Sequence, residues 1–264
     1  MAHKTTIDYI TIASTGNGQD FGDLRTQTHM GARNCGSANS ATYGVYFGGY
    51  KGDSGGTTTD IEYVTMASTG NTQFWGSLTV QGYQTGGLSH ANRGIRFGGI
   101  YATWQGGSYV DNNKIGYWSF ASTGNASDFG NLVENSNSMS PIGVVSSSRG
   151  VMAGGQRDNY DYVEHMQYVT IETAGNAQDF GDMVVYGLQH TYGNQWGPDG
   201  IYWPNGVSDG TRGEFWGGVV TDDSYPHRVS TDGIQYITIA SAGNATDAGN
   251  LVDEIHCMQS GSGT

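Results

Sequence analysis

Proline, cysteine and basic residues are scarce in this chain: 264 residues hold 4 Pro, 2 Cys and 11 Lys plus Arg. Two cysteines, Cys35 and Cys257, cannot build a disulfide framework, so reduced thiols are expected. The 11 basic residues face 24 acidic ones, a formal charge of -13, and no basic patch is interleaved with aromatics. A phosphate backbone would be repelled, which excludes nucleic acid as an expected partner. No run of about 18 apolar residues exists, so no membrane span is expected. The opening MAHKTTIDYITIAS has neither an apolar stretch nor a small-residue cleavage site, so no secretory leader is expected there. Synthesis in a cytoplasm follows as the expectation. Leu-rich helical periodicity is also missing, which points to an all-β chain. HExxH, P-loop and paired-carboxylate patterns are absent, so neither an enzyme nor a bound cofactor is expected.

Glycine and aromatics are plentiful instead. Gly makes up 44 residues, beside 17 Tyr, 8 Phe and 6 Trp. Many tight turns between short strands use glycine in this way, while the aromatics supply apolar area that disordered chains lack. The arrangement is repetitive. IDYITIASTGN starts at Ile7, IEYVTMASTGN at Ile61, IGYWSFASTGN at Ile115, MQYVTIETAGN at Met166 and IQYITIASAGN at Ile234. A period of about 50 residues built from β-type runs and glycine turns predicts a β-propeller, one four-stranded blade per repeat. Residues 1–264 then form one domain, because blades around a common axis share one closed architecture.

Within a repeat, the run Ile61 to Met66 alternates and is rich in β-branched residues, which predicts a strand. The following Ser-Thr-Gly-Asn predicts a reversing turn with positive φ. An outermost strand follows in GNxxDFGxL, at Gly16 to Leu24, Gly124 to Leu132 and, with Met183 last, Gly175 to Met183. A further landmark ends in Gly-Gly: Tyr46 to Gly49, Arg96 to Gly99, Met152 to Gly155 and Phe215 to Gly218. Three of these four follow Arg-Gly, at Arg93, Arg149 and Arg212. Tyr9, Tyr63, Tyr117, Tyr168 and Tyr236 recur once per repeat. Each is expected to pack against the next blade and to bond its hydroxyl there. Asp20, Asp128, Asp179 and Asp247 recur too, with Phe74 breaking the series, and are expected to cap turns, not to hold calcium.

A Gly-Gly strand, then a hydrophobic strand with a fixed Tyr, then an aromatic early in the outer strand resembles the kelch repeat, with DFGDL in place of the usual Trp segment. The wording of the repeats, nearly end to end, resembles kelch-like repeat proteins associated with virions of tailed phages of marine bacteria. The resemblance implies a five-bladed propeller and a non-enzymatic virion structural or adhesion protein, attached to tail or capsid. Its partners would then be other virion proteins and a host-surface glycan. A free carbohydrate-binding propeller and an intracellular kelch-type adaptor are the alternatives.

Five strand-and-turn starts flank only four Gly-Gly strands, so the closing blade is expected to be split. Ile7 to Leu24 would give its two outer strands, and residues after Leu251, including Ile255 to Gln259, its innermost one. A missing second strand would leave an open edge, which gives a homo-oligomer some weight. His29 and His256 sit at equal offsets, near Met30, Cys35, Cys257 and Met258, yet their spacing matches no ligand motif and no metal site is expected. The loops between second and third strands differ in every repeat and should share one face with the connections between blades. They carry Tyr101, Trp104, Tyr109, Tyr160, Tyr162 and Tyr225. A long connection, Tyr186 to Gly206, adds Tyr192, Trp196, Tyr202 and Trp203. These ten aromatics, unrepeated and flanked by Asp, Asn and Gly, are the expected binding surface.

Overall fold

The structure, a computed structural model, describes residues 5–25, 35–50, 56–102, 109–133, 141–156, 162–185, 200–221 and 228–255. All regular elements among them are strands. The first repeat forms a hairpin of β1 (Thr6–Tyr9) and β2 (Gln19–Asp23). Sheet 1 is a four-stranded antiparallel meander of β3 (Gly36–Asn39), β4 (Tyr43–Phe47), β5 (Asp60–Thr65) and β6 (Gln73–Ser77). Sheet 2 repeats it with β7 (Gly86–His90), β8 (Arg93–Phe97), β11 (Lys114–Ser119) and β12 (Ser127–Asn131), and a small hairpin, β9 (Ile100–Ala102) with β10 (Tyr109–Asp111), leaves its middle loop. Sheet 3 is β13 (Ile142–Val145), β14 (Arg149–Ala153), β15 (His165–Thr170) and β16 (Gln178–Asp182). Sheet 4 is β17 (Asn205–Ser208), β18 (Arg212–Trp216), β20 (Arg228–Thr238) and β21 (Thr246–Ile255), with β19 (Val219–Thr221) beside the first part of β20.

The innermost strands β3, β7, β13 and β17 neighbour one another in that order. The sheets therefore stand like successive blades, and the core lies in the seams between them. Val45, Phe47, Ile61 and Trp75 of sheet 1 meet Trp118 and Phe120 of sheet 2. Ile95, Phe97 and Phe129 of sheet 2 meet Met152, Val169 and Ile171 of sheet 3. Val151, Met166 and Phe180 of sheet 3 meet Phe215, Ile237 and Ile239 of sheet 4. Each fully buried side chain of this size stabilises by roughly 1.5 to 3 kcal/mol, which accounts for apolar residues on both faces of the middle strands.

The repeated words become legible as seam hardware. In DFG the Phe is a bulged residue: Ile115 pairs Gly130 and Gly116 pairs Asp128, so Phe129 is left out of the ladder and enters the core. In sheets 3 and 4 the Asp caps the bulge, as Gly181 N donates to Asp179 Oδ1 at 3.2 Å and Gly249 N to Asp247 Oδ1 at 3.0 Å. For these two of the four recurring aspartates the cap is on a bulge, where a turn was expected. The DFG glycine lets the next repeat's turn approach: a Cβ on Gly22, Gly130 or Gly181 would collide with the backbone of Gly70, Gly175 or Gly243.

Three expectations need correction. The Tyr rings do join the seams, but Tyr9 and Tyr63 donate their hydroxyls to Gln19 and Gln73 of their own hairpins, at 2.6 and 2.8 Å, because cross-strand register sets those side chains together. The TGN glycines do not make the reversal. It occurs one step earlier, as Ser68 N donates to Thr65 O, and of these glycines only Gly70 has positive φ. The Gly-Asn pair reaches instead onto the preceding outer strand: Asp23, Ser77, Asn131 and Asp182 donate their N–H to Oδ1 of Asn71, Asn125, Asn176 and Asn244 at 3.0 to 3.1 Å. Finally, Leu251 to Ile255 extend β21 of sheet 4 and form no innermost strand of another sheet. Positions 256–259 lie outside the described residues.

The Arg-Gly pairs also gain a role. Arg93, Arg149 and Arg212 lie over the rings of Tyr117, Tyr168 and Tyr236 at 4.9, 4.2 and 3.8 Å. Arg93 and Arg149 continue to the next sheet, donating to the carbonyls of Ile171 and Ile239 at 2.8 and 3.1 Å.

Candidate functional site

In a four-stranded meander the middle loops and the connections between sheets emerge at the same end. That end carries the unrepeated wording. At each departure the Gly-Gly pair turns the chain out of the sheet, with Gly48, Gly98, Gly154 and Gly217 at φ 62 to 67°, a left-handed conformation glycine adopts at little cost.

There Tyr162, from the middle loop of sheet 3, and Tyr202, from the connection to sheet 4, are 1% and 4% exposed and form a small core with Val219. Their rings stack at 5.6 Å with 23° between planes, and Tyr202 stacks on Trp203 at 4.1 Å and 23°. Trp203 is half-buried. The Tyr202 hydroxyl accepts from Gln84 Nε2 at 2.9 Å. Gln84 lies on the connection between sheets 1 and 2, so this bond reaches from the first seam to the third across the loop end of the inner strands. Tyr83 adds an edge-on contact with Tyr50 at 5.5 Å.

Gln84 and Trp203 occupy equivalent positions. Each follows a tyrosine, Tyr83 or Tyr202, that bridges the residue after Gly-Gly, Ile100 or Val219. Each holds positive φ, 55° and 56°, and among the described residues no other non-glycine does. Left-handed backbone costs an L-residue about 1 to 2 kcal/mol. Such strain persists where surroundings over-determine it, often at ligand clamps. The sequence reading missed Gln84 entirely; its only signal was its place one residue after a tyrosine at the start of an inner strand.

Of the ten expected aromatics, then, Tyr162, Tyr202 and Trp203 come together, two of them as buried supports and one half-buried at the edge. Tyr101 and Tyr109 fall on β9 and β10, where Tyr101 pairs Val110 and Tyr109 pairs Ala102. Trp104, Tyr160, Tyr192, Trp196 and Tyr225 lie outside the described residues, as do His29, His256 and Cys257. Among the described residues, the stacked cluster contains no carboxylate, imidazole, amine or thiol. It offers an aromatic edge and a carboxamide, groups that hold a ligand by stacking and hydrogen bonding.

Two polar groups elsewhere bear on chemistry. Glu164, His165 and Asp182 place one ligand atom each within 4.8 Å of one another. His165 Nδ1 is 2.7 Å from Asp182 Oδ1, across the same pair of positions where Lys114 Nζ meets Asn131 Oδ1 at 2.8 Å. The contact is a cross-strand pair belonging to the repeat. Arg96 is a sharper departure. It is 1% exposed, where the matching strands carry Tyr46, Met152 and Phe215, and burial pushes its guanidinium down to about 10. Its partner in register is Gly116, where sheets 3 and 4 carry Gln167 and Gln235. Those glutamines accept from the N–H of Val133 and Val184, both at 2.7 Å. Glu62 does the same for Arg25, at 3.2 Å. Sheet 2 lacks that acceptor, and Arg96 fills the space, donating to Lys114 O at 3.2 Å. Burial also raises the Cys35 thiol, so it is not an activated nucleophile.

No helix among the described residues is long and apolar enough to cross a membrane. No family model and no curated protein matches the chain. Among solved structures, the structure of YjhT superposes with a TM-score of 0.69 over 98% of this chain and 87% of that one, at 11% identity. The likeness is one of fold: antiparallel four-stranded sheets in a propeller-like arrangement.

Proposed function

We propose that the chain is a five-bladed, kelch-like propeller with a split closing blade, acting as a non-enzymatic virion structural or adhesion protein through its loop face. The observation that carries the binding part is the contrast between ends. The turn end is consumed by seam contacts repeated from sheet to sheet, whereas the loop end gathers Tyr162, Tyr202, Trp203 and Gln84, with strained backbone at two of them. The virion part is supported by the wording of the repeats, IEYVTMASTGN with DFGxL. Partners on this reading are other virion proteins and a host-surface glycan, and the location is the particle, tail or capsid. Purified particles probed with an antibody to this chain test it: labelling of particles is the expected result, and label found only in the soluble fraction of lysates would sink it.

A second reading, a free carbohydrate-binding propeller, is favoured by the Tyr202 and Trp203 stack beside a carboxamide, since sugars present apolar ring faces with hydroxyls at their rims. A glycan array separates the two. Binding without particle association, lost on Trp203→Ala, supports the lectin.

A further inference from the structure

The seams are built alike, and among the described residues one copy of each half of that seam has no partner half. On the donating side, sheet 4 ends in Asp247-Ala248-Gly249-Asn250, the same positions as Asp179 to Asp182. Gly249 keeps the bulge conformation, φ 122°, yet a Cβ there would meet nothing within 4 Å. Val252, at the position of Val133 and Val184, is 100% exposed. Arg212 lies over Tyr236 like its two counterparts, but no carbonyl of a following sheet receives it among the described contacts; it pairs with Glu214 at 3.1 Å. On the receiving side stands the β1–β2 hairpin. Its Ile10 and Ile12 are 66% and 94% exposed. The equivalent side chains in sheets 2, 3 and 4 (Trp118 and Phe120, Val169 and Ile171, Ile237 and Ile239) are all buried.

We infer that the outward face of sheet 4 is the docking site for the chain's own β1–β2 hairpin, closing the ring through a fourth copy of the same seam. Position by position, the partners are fixed. Asn17 Oδ1 accepts from Asn250 N, as Asn176 does from Asn131. Gly16 N donates to Ala248 O, as Gly175 does to Phe129 O. Arg212 donates to Ile12 O, as Arg149 does to Ile239 O. The Asp8 carboxylate takes the N–H of Val252, the role Glu62 has for Arg25. Ile10 and Ile12 leave water. The hairpin's other face already sits on sheet 1, through Asn71 and Gly70, so the docking partner is tethered. A tethered partner acts at an effective concentration in the millimolar range, ahead of a second copy in dilute solution.

The inference rests on the five-bladed reading, and its test separates the two. In a Cys35→Ser, Cys257→Ser background, Asn17→Cys is combined with Asn250→Cys, and separately Ser77→Cys with Asn125→Cys, a seam present in the structure. Each protein is bridged with a short bis-thiosulfonate at low and high concentration and mapped by mass spectrometry. Bridging of 17 to 250 within one chain, matching the 77 to 125 control at both concentrations, is expected. Bridging between chains that grows with concentration assigns the face to a second copy and overturns the inference. An unbridged 17 and 250 pair beside a bridged control means an open ring and also overturns it. Failure of the control as well defeats the blade reading itself. Independently, Ile12→Asp should lower the thermal midpoint as Ile171→Asp does; an unchanged midpoint for Ile12→Asp speaks against closure.

Discussion

The two ends of the molecule follow different rules. At the turn end, the Gly-Asn pairs of the second to fifth repeats reach the preceding outer strand through the same asparagine and the same glycine approach, and a residue's role can be copied from one sheet to the next. At the loop end, only the Gly-Gly exit is shared, and the segment beyond it is unique each time. Tyr202 and Trp203 have one partial echo, Tyr83 and Gln84, and Tyr202 bonds to that echo through Gln84. Repetition is a stability device, because one solution is used in each seam; its absence marks the surface free to specialise.

The largest expected effect breaks the repeated end. Phe180→Ala removes a bulged aromatic from the seam between sheets 3 and 4 and should cost about 3 to 5 kcal/mol in chemical denaturation. Phe74→Ala, at an exposed position one residue before the bulge in sheet 1, should stay within about 0.5 kcal/mol. If both cost the same, the bulged residue is not what holds the seams.

Next comes the one seam that departs from the rule. Arg96→Met with Gly116→Gln rewrites sheet 2 in the words of sheet 3. Because a buried unpaired cation costs several kcal/mol of desolvation, the double variant should match or exceed the parent in urea midpoint. A clear loss would show that Arg96 meets a need of its own, and anion binding would then be the measurement to make.

Tyr202→Phe tests the loop end. It deletes the acceptor of Gln84 and should cost about 1 kcal/mol, with unchanged circular dichroism. A loss as large as that of Phe180→Ala would show that the cluster holds the fold and is not mainly the support of a binding edge.

The smallest effect is a pH dependence. The N–H groups of Arg212 and Thr211, both at 2.8 Å, hold the Asp209 carboxyl below its ordinary 3.8. A depressed carboxyl contributes stability that is complete above its unfolded value and fades as pH falls through the folded one. Asp209→Asn should therefore lower the thermal midpoint slightly at neutral pH, and the difference from the parent should fade as pH falls below about 4.

The all-β class, the strand order of each repeat and the sharing of one face by loops and connections were legible in the sequence, because they depend on alternation and spacing. Direction of contact was not. The wording DFGDL shows that an aromatic recurs, while only register reveals that it bulges out of the ladder. Likewise Tyr63 reads as a seam residue, yet its hydroxyl stays with Gln73, since cross-strand neighbours ten residues apart are invisible until pairing is known. Ala248, in place of Phe, was a signal at hand: the bulged position of sheet 4 brings no aromatic to a seam. At the loop end the aromatics were visible but Gln84 was not, because a single glutamine beside a tyrosine carries no pattern.

The bond from Gln84 to Tyr202 joins residues 118 positions apart, whereas the seams between sheets 1 to 4 join neighbouring repeats. Loop-closure entropy grows with separation, so contacts within a repeat form first and this one after them. Its position makes Trp203, stacked on Tyr202, a natural optical reporter. Trp203 fluorescence should recover later than the β-sheet signal during refolding, and its lag times the moment at which separate sheets become one assembled molecule.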